Sequence, residues 1–203
     1  SFAKPGSMIG YWTGYGSSGI AVQSAIWTAA IHNVLYPNIF WMPSYLNPDL
    51  TYSKSARDMG EAFKALKYEG VGKLFMESAR LQDGIAIHSS MPSNHAADII
   101  GRLEPAGPAN ARPNFAEDRN GWVEVTNDLG LQFDFLAYEQ LEKGAPSLSG
   151  YKVLILPFSQ ALSPAEVAAI RAFAEKGGVV IADALAGVMD EHCAWREEGL
   201  LND

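Results

Sequence analysis

Two short apolar runs restrict the fold of this chain more than any other part of it. They are residues 83–90 (DGIAIHSS) and residues 151–157 (YKVLILP), and each ends in small polar or turn residues before a helical pattern. A strand that is apolar on both faces must be covered on both faces, so these runs indicate a parallel sheet between helices. Ligand sites in such sheets lie at the carboxyl ends of the strands.

Length and composition indicate a globular protein. The chain has 203 residues, 48% hydrophobic and 19% charged, which is enough for one large domain or two small ones. The net charge is −8, without the cluster of Lys and Arg that nucleic-acid binding needs. No apolar run reaches the roughly 18 residues of a membrane span. We therefore expect neither a nucleic-acid nor a membrane partner.

Cysteine content and the amino-terminal sequence bear on the compartment. The single cysteine, Cys193, excludes an internal disulfide and suits a reducing compartment or a fold indifferent to redox state. The first residues lack the charged and apolar regions of a signal peptide, although Ser1 need not be the natural start. Together these features slightly favour a cytoplasmic location.

The first 48 residues contain no Asp or Glu, and Lys4 is their only Lys or Arg. They are instead rich in aromatic residues, among them Tyr11, Trp12, Tyr15, Trp27, Tyr36, Phe40, Trp41 and Tyr45. A surface segment of a free-standing domain normally carries more charge. We interpret this segment as mostly buried or lining a cleft.

Periodicity and turn residues predict two strand–helix units in the first part of the chain. Strands are predicted at 8–12 and 38–42, the first followed by a helix that Ser17 or Ser18 can cap. The second helix, capped by Thr51 or Ser53, is predicted to break at Gly70 and Gly72 and to resume over 73–80.

The second part repeats the pattern with four strands and helical connections. Strands are predicted at 84–88, 131–136, 153–156 and 179–182, helices at 94–102 and 122–129, and a loop at 103–119. A capping box of Ser163 and Glu166 around Pro164 begins the last helix. These elements fit a flavodoxin-like doubly wound sheet. The first part has too few strands for a sheet of its own, so we interpret the chain as the end of one domain and most of the next.

Several segments resemble a known family. Residues 12–16 (WTGYG), 39–41 (IFW) and 47–51 (NPDLT) are similar to the closing units of a glycosidase (β/α)8 barrel. Residues 83–93, 129–135 and 151–157 resemble the β-galactosidase trimerisation domain of glycoside hydrolase family 42 and its relatives. The fold implied is α/β: the last strand–helix units of a barrel in residues 1–82, then a class I glutamine-amidotransferase-like, doubly wound parallel sheet in residues 83–203.

The resemblance implies a fragment of a retaining, β-galactosidase-like glycoside hydrolase that supplies a pocket wall and the oligomerisation domain. Its partners would be a carbohydrate, bound together with the rest of the barrel, and further copies of itself, as in a trimer. No cofactor or metal is implied. Retaining hydrolysis needs two carboxylates about 5–5.5 Å apart. Because residues 1–48 contain no acid, we assign no catalytic residue and expect both carboxylates upstream.

Three aromatic residues are the candidates for substrate binding. Trp41 follows the predicted last barrel strand, and active-site residues in barrels come from strand ends. Trp12 and Tyr15 hold similar positions at the preceding strand and its turn. The alternative is that these rings pack in the core at a barrel rim.

Other residues could carry chemistry, but an ordinary structural role explains each. Cys193 beside His192 lacks the tight strand-to-helix elbow of an amidotransferase nucleophile. His88 and His95 lack a third metal ligand, and a lone histidine at a strand end usually bonds to backbone. The serine-rich segment 89–93 lacks the glycine of a phosphate loop, and Asp183, Asp190 and Glu191 are expected to be solvated. Two other functions remain open: a non-catalytic assembly or carbohydrate-binding module, and an independent flavodoxin- or amidotransferase-like protein.

Overall fold

The computed structural model describes residues 10–13, 19–32, 34, 36–39, 45–79, 81–103, 115–199 and 201. The chain divides into two compact units: a first unit of residues 3–80, and a second unit of residues 81–203 together with residues 1 and 2.

The first unit alternates strands and helices. Its elements are β1 (Gly10–Thr13), α1 (Ile20–Ile31), β2 (Tyr36–Ile39), α2 (Lys54–Tyr68) and α3 (Val71–Glu77). β1 and β2 pair in parallel, with Gly10 opposite Tyr36 and Thr13 opposite Ile39. The predicted order of elements is confirmed, although β2 begins two residues before the predicted start at residue 38.

The core of the first unit lies between α1 and α2. Val22 and Ile26 of α1 are buried against Met59 and Ala62 of α2, together with Tyr45. These residues lie three or four positions apart in each helix, the spacing that puts side chains on one helical face.

Capping explains where α2 begins and ends. Ser53 caps α2, as predicted, by accepting a hydrogen bond from the amide of Ala56 at 3.2 Å. Gly70, with a φ of 83°, precedes α3 directly. The prediction that the helix resumes at residue 73 is therefore wrong by two residues, because a left-handed glycine separates the two helices and α3 begins immediately after it.

The second unit is built around a four-stranded parallel sheet. Its elements are β3 (Ile85–Ser89), α4 (Met91–Leu103), α5 (Phe115–Asp128), β4 (Phe133–Ala137), α6 (Tyr138–Leu141), a 3-10 turn (Ala145–Leu148), β5 (Val153–Leu156), α7 (Pro164–Glu175) and β6 (Val179–Ala182). The strand order is β4-β3-β5-β6, and every pair is parallel. The order therefore reverses between β3 and β5, which makes the sheet doubly wound as predicted.

Both faces of the central strands β3 and β5 are covered, because alternate residues of these strands enter different clusters. Ala86, Leu154 and Leu156 pack with Leu162, Val167 and Ile170 on one face. Ile85, Ile87 and Ile155 pack with Phe133 on the other. The prediction of strands buried on both sides is confirmed.

The largest errors in predicted boundaries of the second unit concern two helix starts. The predicted loop 103–119 ends early, since α5 begins at Phe115, which is buried, and Glu117 and Asp118 suit the positive helix end. The helix predicted from residue 94 begins at Met91, because a proline such as Pro92 is tolerated in the first turn. The capping box of Ser163 and Glu166 at the start of α7 is confirmed.

Candidate functional site

The structure places the three predicted sugar-binding residues only in part. Trp41 and Tyr15 lie outside the described residues, and Trp12 lies in β1, opposite Asn38 of β2. Thr13 and Ile39, the last residues of the two strands, are paired. The strands β1 and β2 therefore end side by side.

A structured loop, residues 45–53, precedes α2 in the chain. Its ends are joined by hydrogen bonds from the amide of Ser53 to the carbonyl of Tyr45 (2.9 Å) and from the amide of Asn47 to the carbonyl of Thr51 (2.8 Å). Asp49 accepts from both the amide and the hydroxyl of Thr51, and the Thr51 bonds lower the pKa of the Asp49 carboxyl. The loop is therefore held in one shape by its own polar groups.

The loop and α2 enclose an open cavity of about 570 Å³. Its lining is mainly apolar and aromatic, with one cation and one anion: Tyr45, Leu46, Tyr52, Ala56, Arg57, Met59, Gly60, Glu61 and Phe63. This volume lies in the range of small-molecule pockets. This cavity is not evident from the sequence, because its two walls become adjacent only in the folded unit.

In the second unit, the position where a doubly wound sheet binds ligands is filled by buried side chains. Nδ1 of His88, in β3, lies 2.9 Å from Oγ of Ser159, and Nε2 lies 3.0 Å from Oε1 of Glu166. A carboxylate only accepts hydrogen bonds, so Nε2 donates to Glu166, and in the neutral imidazole Nδ1 accepts from the Ser159 hydroxyl. The other oxygen of Glu166 accepts from the amide of Ser163 at 2.7 Å.

The order Ser159–His88–Glu166 is that of a serine hydrolase triad, but the two imidazole nitrogens have exchanged partners, since the serine lies on Nδ1 and the carboxylate on Nε2. All three residues have a fractional exposure of 0%. A catalytic nucleophile must be accessible to its substrate as well as bonded to its base. The buried Ser159 is not accessible to a substrate. The arrangement instead connects β3, the residues after β5 and α7. The expectation that His88 bonds to backbone is wrong, because Ser159 and Glu166 lie closer to its two ring nitrogens.

The serine-rich segment after β3 is also occupied. The hydroxyl of Ser90 accepts from the amide of Ser93 at 3.0 Å, within the first turn of α4. The hydroxyl of Ser93 bonds both the carbonyl and the amide of Ala161, each at 3.1 Å. Ser90 and Ser93 are buried, so these hydroxyls hold α4 against the chain after β5 and do not face a ligand.

Asp183, at the end of β6, has two structural partners. Its Oδ1 accepts from the amide of Phe158 at 2.5 Å, and its Oδ2 accepts from the indole of Trp122 at 3.1 Å. Phe158 has a φ of 41°, a conformation that costs a non-glycine residue energy. The carboxylate of Asp183 thus bonds the backbone amide of the residue that has this unfavourable φ. Desolvation, then the charge of Asp183, raises the pKa of the nearby Asp118.

The terminal loop makes a turn around Asp190. One carboxylate oxygen of Asp190 accepts hydrogen bonds from the amides of His192 and Ala194, each at 2.9 Å. These bonds, the one from Ala194 above all, lower the pKa of Asp190. The thiol of Cys193 donates to the carbonyl of Pro92 at 3.4 Å, and burial raises its pKa. A raised pKa lowers the thiolate fraction and hence the nucleophilicity, which agrees with a structural cysteine.

The remaining candidates form no site. His95 is exposed on α4, whereas His88 is buried in β3. Within the part of the chain that the structure describes, no three residues of the types His, Cys, Asp and Glu are grouped to hold a metal ion. No helix in that same part has the length and apolar content that a membrane span requires.

The class of protein follows from these features and from comparison with known proteins. Residues 103–202 match the family described as the β-galactosidase trimerisation domain. The predicted resemblance to glycoside hydrolase family 42 is thereby confirmed.

Solved structures share the fold over most of the chain. The β-galactosidase of the psychrophilic Marinomonas ef1 matches with a TM-score of 0.67 and 18% identity, over 91% of this chain and 28% of that one. A catalytic mutant of Gan42B, a GH42 β-galactosidase from G. stearothermophilus, matches with a TM-score of 0.68 and 18% identity, over 90% and 26%.

A third structure carries a different activity in its description. The GH42 exo-carrageenase of Bacteroides ovatus matches with a TM-score of 0.56 and 14% identity, over 88% of this chain and 23% of that one. This chain thus spans less than a third of each of these three proteins. Comparison with curated protein sequences finds no match. The chain is similar to a segment of a family 42 glycoside hydrolase that includes the trimerisation domain.

Proposed function

We propose that this chain is part of a retaining glycoside hydrolase of the β-galactosidase type. Residues 1–82 would form the end of the catalytic barrel and residues 83–203 the oligomerisation domain. The observation that carries the proposal is the match of residues 103–202 to the β-galactosidase trimerisation domain. The boundary between the two compact units, after residue 80, supports this division.

In this proposal the first unit supplies one wall of the sugar pocket. Active sites of (β/α)8 barrels are built at the carboxyl ends of the strands. The pairing of Thr13 with Ile39 supports this proposal, because it places the carboxyl ends of β1 and β2 side by side. Aromatic rings offer a sugar an apolar contact face, and Trp41 is the first candidate for that contact.

The second unit would act in assembly and not in catalysis. The buried chain of Ser159, His88 and Glu166 closes the ligand position of its sheet. A domain of this kind contributes surface and rigidity. We propose that it associates with further copies of the protein, with a trimer as the expected form.

The carbohydrate is expected to be a terminal β-galactoside. Two of the similar structures are described as β-galactosidases and one as an exo-carrageenase, so the fold alone leaves the sugar open. A nitrophenyl β-galactoside is the first substrate to test, because its hydrolysis is followed directly by absorbance.

The test compares the purified chain with the protein made from the complete reading frame. The complete protein is expected to hydrolyse the substrate. Trp41→Ala is expected to raise its KM about tenfold, which corresponds to a loss of about 1.4 kcal/mol of binding free energy for the sugar. Trp195→Ala, at an exposed tryptophan of the second unit, is the control. Turnover by the 203-residue chain alone, or a complete protein without activity, would contradict the proposal.

A further inference from the structure

The second unit has a cavity of about 510 Å³ that is lined by two lysines, Lys152 and Lys176. It lies between the residues before β5 and the end of α7. Its floor is apolar, because Leu148 and Phe173 in its lining belong to the core cluster beneath α7. The described residues of this lining include no Asp or Glu. This lysine cavity therefore combines an apolar floor with two exposed cations.

The backbone fixes the position of Lys152. Its amide donates to the carbonyl of Gly84 at 2.6 Å, and its carbonyl accepts from the amide of Val179 at 2.9 Å. Lys176 is the C-cap of α7. Neither lysine forms an ion pair within the described part of the chain. Both charges can therefore pair with a partner molecule.

A surface of opposite charge lies at the end of α5. Val125 and Leu129 are 48% and 67% exposed. The amide of Leu129 donates to the carbonyl of Val125 at 3.1 Å, so the two side chains lie one turn apart on the same side of the helix. Glu124 and Asp128, which are also exposed, lie next to them with the same spacing. These four residues, the α5 patch, are an apolar pair bordered by two carboxylates.

The charges of the α5 patch are unfavourable within their own helix. Two carboxylates four positions apart repel each other, and negative charge at the carboxyl end of a helix opposes the helix dipole. The last turn of α5 contains no basic residue that would offset them. Cations supplied by another molecule would remove this repulsion, and the same contact would bury the apolar pair.

The lysine cavity and the α5 patch lie on opposite sides of the sheet. α5 covers the face that carries Ile87, through Trp122, and α7 covers the face that carries Leu154, through Ile170. A closed trimer needs a heterologous contact, in which each copy offers two different surfaces. Because the two surfaces do not overlap, one copy can use both at once.

We propose that the α5 patch of one copy docks in the lysine cavity of the next copy, so that its two carboxylates face Lys152 and Lys176. This inference rests on the proposed function, because it names the surfaces through which the second unit assembles. Both surfaces lie within residues 103–202, the part of the chain that matches the β-galactosidase trimerisation domain.

The test is charge reversal in the complete protein, with the molar mass measured by sedimentation equilibrium over a range of concentrations. Lys152→Glu with Lys176→Glu places acid opposite acid, and Glu124→Lys with Asp128→Lys places base opposite base. Each pair is expected to raise the concentration of half-dissociation about tenfold or more, because like charges in contact oppose association. The fourfold variant restores opposite charges and should associate like the original protein.

Two further variants complete the design. Leu129→Ala changes no charge and should also weaken association, because it removes apolar area from the contact. Lys64→Glu with Lys67→Glu is the matched control, since it makes the same change of net charge at two exposed lysines of the first unit, and it should leave association unchanged. Far-ultraviolet circular dichroism verifies that each variant is folded.

The outcomes separate this inference from the proposed function. An oligomer that neither charge-reversed pair weakens would overturn the inference and leave the proposed assembly standing. Dissociation by the lysine pair without rescue in the fourfold variant would assign the cavity to a different anionic partner, which also overturns it. A complete protein that stays monomeric at every concentration would contradict the proposed assembly, and the inference with it.

Discussion

Nε2 of His88 lies 3.0 Å from Oε1 of Glu166, and neither side chain is exposed to solvent. The two residues are 78 positions apart, one in the first strand of the second unit and the other in the first turn of α7. The carboxylate of Glu166 thereby serves two purposes, since its other oxygen caps its own helix through Ser163. The contact ties the beginning of the domain to its last crossover helix.

His88→Ala is expected to destabilise the second unit by about 2–3 kcal/mol, because it removes a hydrogen bond to the buried carboxylate of Glu166. Urea unfolding, followed by far-ultraviolet circular dichroism, measures the loss. His95→Ala, at an exposed histidine of α4, should change the free energy of unfolding by less than about 0.5 kcal/mol. Equal effects of the two substitutions would show that the buried contact contributes nothing particular.

Ser163→Ala is expected to cost about 1 kcal/mol, the usual effect of removing a helix cap. The hydroxyl of Ser163 accepts from the amide of Glu166 at 3.2 Å and is the first half of the capping box. Ser149→Ala, at an exposed serine before β5, is the control. A midpoint of urea unfolding unchanged by Ser163→Ala would contradict the capping role.

Asp58→Asn is expected to lower the stability of the first unit at neutral pH. The carboxylate of Asp58 accepts from Lys54 at 2.6 Å and from the amide of Gly19 at 2.5 Å, at the start of α1. The Lys54 bond first, then the Gly19 bond, lowers the Asp58 pKa below 3.8. The stabilisation is therefore present above pH 3.8 and is lost as the pH falls through the lowered value.

Thermal unfolding between pH 2 and 7 tests this dependence on Asp58. The difference in Tm between the original protein and Asp58→Asn should be greatest at neutral pH and should shrink below pH 3.8. Glu69→Gln, at an exposed residue after α2, should leave the profile unchanged. A difference that stays constant down to pH 2 would contradict a role for the ionised carboxylate.

Tyr151 is expected to titrate well above an ordinary tyrosine. Burial, followed by the negative charge of Asp134, raises the pKa of Tyr151 from 10.0 to about 12; its hydroxyl donates to Asp134 at 3.1 Å. A folded-state pKa above the unfolded value means that this contribution to stability is present below pH 10 and is lost as the pH rises towards 12.

Ultraviolet difference spectra between pH 9 and 13 measure that ionisation. Tyr151→Phe should remove one late-titrating phenol from the spectrum, whereas Tyr52→Phe, at an exposed tyrosine, should leave that late titration in place. If Tyr151→Phe removes absorbance near pH 10 instead, the burial of its hydroxyl is not maintained in solution.

The elements that the sequence predicted well are those whose signals are local. The start of α7 follows from a serine, a proline and a glutamate within four positions, and β5 and β6 are apolar runs ended by turn residues. The boundary errors arise where the local sequence is compatible with both a loop and the first turn of a helix. Phe115 begins a helix in place of a loop because its ring is buried in the core, a contact that the local sequence does not reveal.

The starts of α1 and α2 show the same dependence on contacts that are distant in the sequence. Ser53 caps α2 and is one of the two caps, Thr51 or Ser53, that the sequence predicts. At α1 the N-cap is Gly19, which has no side chain, and its amide bonds to Asp58, 39 positions away. Ser17 and Ser18, the predicted caps, lie outside the described residues. A cap supplied by another helix depends on how the two helices pack.

The local pattern of apolar and turn residues is sufficient for the α/β class and for the parallel sheet, because caps, periodicity and turns act between neighbours in the chain. The contacts that close the ligand position of that sheet required the folded domain. His88, Ser159 and Glu166 occupy three separate elements, and each alone has an ordinary explanation. Only the packing of β3, the residues after β5 and α7 brings the three side chains within hydrogen-bonding distance and buries them.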